Sequence, residues 1–211
     1  MATTQLGNGL MVSNRHEDAL SVQEANLSMK RRLGASEGNM LVAQTNLAST
    51  YSALGRQENA ARMLRDVYSG NLRLEGEENT NTIISAGNYA KTLVDLHRFQ
   101  EAKVLLRKTI PVARRVLGEN HDVPLGMRSM YAQALCRDTA ATLGDLREAV
   151  TTYEEIERTA RRVLGGAHPI ARKIGQDLQN ARAALRARET GDVSSIREAV
   201  EATPPTSKSQ N

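Results

Sequence analysis

Apolar residues recur along most of this chain at spacings of three and four, the period of an α-helix rather than the alternation of a strand. Between Thr82 and Leu96 they fall at Ile83, Ala86, Tyr89, Ala90, Leu93 and Leu96, with Asn79 and Thr80 as candidate N-caps. A turn at His97-Arg98 follows. A second helix then begins at Phe99, its stripe passing through Ala102, Leu105, Leu106, Ile110, Val112 and Val116. Gly118 ends the pattern, as a helix C-terminus favours. Pro111 lies inside it and is expected to bend or locally open the helix.

The helix pair recurs. Gly34, Gly76 and Gly118 stand 42 residues apart, and thirteen positions after each comes Leu47, Tyr89 or Tyr131. A small residue follows at Ala48, Ala90 and Ala132, then an apolar one at Tyr51, Leu93 and Leu135. Each unit closes on an alanine, at Ala60, Ala102 and Ala149. The third is displaced by a five-residue insertion within Cys136 to Asp145, and a fourth unit opens at Leu164-Gly165. Self-similarity at a period of tens of residues marks a stacked-repeat architecture, since neither helix of a pair hides its stripe alone. The expected fold is all-α, a right-handed superhelical solenoid of antiparallel helix pairs. Its segments are a partial N-terminal repeat over 1–34 and repeats over 35–76, 77–118 and 119–165, the last with the insertion. A C-terminal capping helix is expected over 166–189, then a short helix and disordered tail over 190–211. Within the third full repeat a helix is expected from Asp122, with the turn at Leu143-Gly144-Asp145.

The ends differ from one another. Leu6, Leu10, Asn14, Arg15, Glu17 and Ala19 mirror Leu47, Tyr51, Gly55, Arg56, Glu58 and Ala60, so the chain starts partway through the first helix of an extra repeat. Leu6, Leu10, Met11 and Val12, with Ala19, Val22, Ala25, Leu27 and Met29, are then expected to leave one apolar flank uncovered. Contiguous exposed apolar surface marks an interface. The expectation is end-to-end self-association through residues 6–29, or a longer natural polypeptide. At the other end Pro169 opens a helix reaching about Arg188, with Gln179 and Arg182 where other repeats have small and apolar residues. That substitution suits a polar cap. Beyond Gly191, Ser195-Ile196-Arg197-Glu198 reads as a capping box, and Thr203 to Asn211 is polar and proline-bearing.

The spacing LG-x-x-H/N, an apolar-Ala pair, a hydrophobe, a turn and E-x-A resembles the tetratricopeptide repeat in its 42-residue form, which kinesin light chains carry. The stretches that carry the resemblance are Asn46 to Tyr51 with Gly55 to Ala60, Asn88-Tyr89-Ala90 with Phe99 to Ala102, and Leu117 to His121. It extends over roughly residues 5 to 188. The resemblance implies that first helices of successive repeats line a concave groove for an extended peptide or partner helix. Mapped residue by residue, the groove row is Asn46, Ser49 and Ala53, then Asn88, Lys91 and Asp95, then Met130, Gln133 and Arg137. An asparagine donates to and accepts from peptide main chain at once. Lys91 and Arg137 are suited to a carboxylate through charge-assisted hydrogen bonds. Met130 interrupts the asparagine ladder.

Composition narrows the remainder. With 211 residues and 40% apolar content the chain buries a real core, while 3% aromatics and no Trp favour helix pairs over a β sandwich. No run approaches the roughly 18 apolar residues of a membrane span. The N-terminus lacks the basic start and apolar block of a secretory signal, and a lone Cys136 fits a reducing compartment. A soluble, cytoplasmic protein is expected. The net charge is +4, with clusters at Arg107, Lys108, Arg114 and Arg115 and at Arg158, Arg161 and Arg162. These suit an acidic partner or a solvated face interleaved with Glu148, Glu154, Glu155 and Glu157; the lack of base-stacking aromatics favours the latter over nucleic acid.

Catalytic chemistry is not indicated. His121 and His168 sit at helix starts, where capping or packing explains them, and Cys136 reads as a packing residue. No H-x-x-x-H, C-x-x-C or paired-carboxylate spacing builds a metal site, and Gly165-Gly166 lacks the Lys-Ser/Thr of a phosphate loop. No cofactor is expected. The reading is a non-catalytic protein-interaction scaffold, with a regulatory or structural segment of a larger enzyme or kinesin-type adaptor as the alternative.

Overall fold

The computed structural model describes residues 2–191. Nine α-helices run through them: α1 (Ala2–Val12), α2 (His16–Arg32), α3 (Glu37–Ala53), α4 (Gln57–Glu75), α5 (Thr80–Asp95), α6 (Phe99–Leu117), α7 (Asp122–Arg137), α8 (Leu143–Leu164) and α9 (Pro169–Thr190). The described residues contain no strand, in keeping with the helical period throughout. The helix expected at Ser195 to Glu198 and the tail after it lie outside the described residues.

The chain divides into two compact units, Met1–Thr92 and Leu93–Asn211. In the first, α1 packs on α2, α2 on α3 and α3 on α4. Leu20, Leu27, Ala43 and Leu47 form a core there, with Met40, Tyr51, Leu54 and Met63 against it. In the second unit α6 packs on α7, α7 on α8, and α9 on both α8 and α7. Leu106, Leu135 and Ile156 are fully buried within it. The repeated alanines all lie inside. Ala48, Ala60, Ala90, Ala102, Ala132 and Ala149 are each 0% exposed. A side chain that stops at Cβ lets two backbones approach, and a larger one forces them apart.

Two kinds of turn join the helices. Gly76, Gly118 and Gly165 cap α4, α6 and α8 with φ of 80, 91 and 85°, the left-handed region that glycine enters without strain. The turns α1–α2, α3–α4 and α5–α6 also carry a positive φ, at Asn14, Gly55 and His97, of 58, 74 and 59°. Asparagine and histidine are among the side chains that tolerate it best.

The α7–α8 turn departs from this plan and from the sequence expectation. It occupies residues 138–142, and Leu143, Gly144 and Asp145 form the first turn of α8 rather than the connection. A capping box decides the boundary. The Asp145 amide donates to Thr142 Oγ1 at 3.1 Å, and the Thr142 amide donates to Asp145 Oδ2 at 2.9 Å. The helix α6 continues across Pro111 without a break in its assignment. The missing amide leaves only the Arg107 carbonyl without its helical donor, on a face where both residues are exposed to water.

Candidate functional site

In the first unit, α3 and α5 set Asn46 with Ser49 and Asn88 with Lys91 three residues apart, hence on one helical face. Asn46 and Asn88 are half-buried; Ser49, Ala53 and Lys91 are exposed. The Ser49 hydroxyl donates inward to the Thr45 carbonyl at 3.1 Å, leaving its oxygen as an acceptor for anything outside. Beneath this face the polar core is closed by Thr50, whose Oγ1 donates to Gln23 Oε1 at 2.6 Å.

The second unit treats its row differently. Asp95 and Met130 are half-buried, but Gln133 and Arg137 are only 6% and 8% exposed, on a helix against which α9 packs. The Arg137 guanidinium lies 5.7 Å over the Phe99 ring, and its Nη2 donates to His97 Nε2 at 2.9 Å. Its Nη1 is buried with no hydrogen-bond partner. Burial holds the Arg137 pKa below its ordinary value, against the opposing charge of Asp95. The cation remains protonated all the same.

Adding the five inserted residues to the period makes Asp177 on α9 the repeat equivalent of Met130. Asp177 is 8% exposed and accepts from Lys173 Nζ at 2.6 Å. Burial, reinforced by the Asp177 charge, pushes the Cys136 thiol up to about 12. Thiolate chemistry at neutral pH is thereby disfavoured, in keeping with a packing role. Tyr153 is likewise raised, by burial first and by Asp177 second. On α9 itself Gln179 is exposed as a cap requires, whereas Arg182 turns to α8 and pairs with Glu154 at 2.7 Å.

A buried ion pair anchors the inserted turn. Lys103 Nζ of α6 lies 2.9 Å from Asp138 Oδ2, with side chains 5% and 10% exposed. Gln100 Nε2 donates to the same oxygen at 2.9 Å, and the Ala140 amide to Oδ1 at 3.0 Å. Burial draws the Asp138 carboxyl upward, but these donors and the Lys103 charge prevail and hold it below the usual carboxylate range.

The basic clusters are substantially neutralised. Arg107 Nε donates to Tyr131 Oη at 2.6 Å, and that hydroxyl donates to Glu148 at 2.7 Å. Arg114 pairs with Glu119, Arg161 with Glu157 at 2.9 Å, and Arg162 Nη2 donates to Asn120 at 3.1 Å. Lys108 and Arg158 stand exposed. His121 and His168 are helix caps, each Nδ1 accepting an amide, from Val123 at 3.2 Å and Ile170 at 3.3 Å. Among the described residues no three His, Cys, Asp or Glu side chains gather as a metal site, and no helix is long and apolar enough to cross a membrane. At the N-terminal end Leu6, Val12 and Met29 are 55%, 90% and 44% exposed, whereas Ala19 and Leu27 of the same expected flank are buried, Leu27 in the first unit's core.

A family model for the tetratricopeptide repeat matches residues 40–80 and 82–122. Among solved structures the chain is similar to a kinesin-light-chain-related protein of Podosopora anserina built of nearly identical TPR-like repeats. The TM-score is 0.72 at 21% identity, covering 95% of this chain and 91% of that one. It is also similar to BtubC (BKLC) of P. vanneervenii, with a TM-score of 0.66 at 16% identity over 99% and 84% of the two chains. No curated protein matches it in sequence.

Proposed function

The chain is a tetratricopeptide-repeat protein with repeats like those of kinesin light chains, and we propose that it is a non-catalytic, cytoplasmic scaffold binding an extended peptide or partner helix. Tetratricopeptide repeats in general mediate protein–protein interaction. The rows that would receive the partner are Asn46, Ser49, Asn88 and Lys91 in the first unit, and Asp95, Gln133 and Arg137 in the second. The observation that carries this reading is the pair Asn46 and Asn88, half-buried at equivalent sites one repeat apart. A side-chain amide there offers a donor and an acceptor to peptide main chain without selecting a side chain.

Replacing both asparagines with alanine should leave the circular dichroism unchanged. It should weaken a validated peptide partner by about 1–3 kcal/mol, the scale for leaving buried polar groups unpaired. Titration calorimetry giving wild-type affinity in the double variant would remove these residues from the interface.

The exposed Leu6, Val12 and Met29 support self-association at the N-terminal end as part of the same proposal. Sedimentation at micromolar concentration should show mass rising with concentration, and Val12→Glu should abolish the rise. A monomer at every concentration refutes it.

A further inference from the structure

We propose that the last turn of α2 is a docking surface for a partner protein, with Arg32 as the clamp for a carboxylate on the first turn of a partner helix. This surface belongs to a second helix, not to the groove rows on α3 and α5, and its occupation does not depend on them.

One arginine recurs in step with the repeat. Thirteen residues after Ala19, Ala60, Ala102 and Ala149 stand Arg32, Arg73, Arg115 and Arg162. All four lie near the C-terminal ends of second helices, in α2, α4, α6 and α8. Two of them show what the position does. In the first unit Arg73 pairs with Glu37, the residue that opens α3. In the second unit Arg162 Nη2 donates at 3.1 Å to Asn120 Oδ1, two residues ahead of α7. In both, the guanidinium holds the start of the first helix of its own repeat.

Arg32 has the same place on α2, and the first helix of its pair is α1. That helix, Ala2–Val12, carries no Asp or Glu. Among the described residues Arg32 has no hydrogen-bond or ion-pair partner, and neither have Lys30 and Arg31 beside it. In the second unit, by contrast, Arg114 is paired with Glu119 and Arg161 with Glu157. The helix dipole favours cations at any C-terminus, but it does not ask for arginine at one fixed position of four repeats. Three adjacent cations without an acid make a local field that an acidic partner neutralises.

The surroundings suit a protein rather than a free anion. Met29 and Leu33 flank the cations and are 44% and 76% exposed. An amphipathic helix covers such aliphatic surface with its own apolar face. Its leading carboxylate then meets Arg32 in a charge-assisted hydrogen bond, as Glu37 meets Arg73.

The test uses the full chain and a synthetic peptide of residues 35–53, the segment whose Glu37 the equivalent Arg73 holds. Arginine side-chain signals are followed by NMR as the peptide is added. The Arg32 Nε signal should shift and saturate. A Glu37→Gln peptide should bind about two- to five-fold more weakly, the scale of an exposed ion pair. A Glu37→Lys peptide should bind more weakly still, and Arg32→Glu in the protein should recover that loss by exchanging the two charges. Arg32 is exposed, so this variant should keep the wild-type circular dichroism. An Arg32 signal unmoved by the peptide, or equal affinity for all three peptides, would overturn the clamp. An Arg32 signal that moves with protein concentration alone would give the surface to a second copy and overturn the partner.

Discussion

Asp138→Asn should destabilise the protein by about 3–5 kcal/mol in urea denaturation at pH 7, the usual consequence of removing one partner from a buried ion pair. Lys103 would keep a full charge at 5% exposure, with its hydrogen-bonded carboxylate gone. An asparagine keeps one oxygen, which can still accept the Ala140 amide at the Oδ1 position. The Oδ2 position that accepts from Lys103 and Gln100 becomes an amide nitrogen facing donors, so the loss includes the Gln100 bond as well as the charge. Adding Lys103→Met should recover most of the stability, because an apolar replacement for both charges is commonly neutral or better. A change under about 1 kcal/mol in the single variant would show that water reaches the pair and screens it.

The pH dependence has a definite sign. The folded-state carboxyl of Asp138 lies below its usual range. Its contribution is therefore complete above the unfolded value of about 3.9 and is lost as pH falls through the lower, folded one. The gap between wild type and Asp138→Asn should be constant from pH 5 to 8 and close below about pH 4. A gap that closes instead near pH 6 would point to a histidine as the source.

The repeat, its helices and its alanine contacts were legible because they obey a period. Ala48, Ala90 and Ala132 recur every 42 residues and are all fully buried. Asn79 is a genuine cap, its Oδ1 accepting the Asn81 amide at 2.8 Å. What escaped was aperiodic. The inserted residues hid the α7–α8 turn, since Leu143-Gly144 reads as a loop until Thr142 and Asp145 are seen to close a box around it. The same five residues hid Asp177. The burial of Arg137 was not legible, since it involves the His97 ring forty residues away in the chain and the Phe99 ring. Exposure of a groove residue is a tertiary property, and no helical spacing reports it.

Leu135→Ala should cost about 2–5 kcal/mol, the range for truncating a fully buried leucine. Leu135 is 0% exposed on α7, which packs against α6, α8 and α9. Because Leu135 is fully buried on a helix packed against three others, the space left by the removed carbons has little freedom to collapse, which argues for the upper part of the range. The same helix carries Gln133 and Arg137 at two residues on either side, and their chemistry is untouched by the substitution. Leu135→Ala and the Asn46 and Asn88 variant should therefore give opposite signatures. The first lowers the urea midpoint while the folded fraction keeps its polar row; the second spares the midpoint and weakens binding. A loss below about 1 kcal/mol for Leu135→Ala would mean that α7 shifts to fill the gap. Such a shift would move Arg137 against His97, and the Arg137 NMR signals would report it.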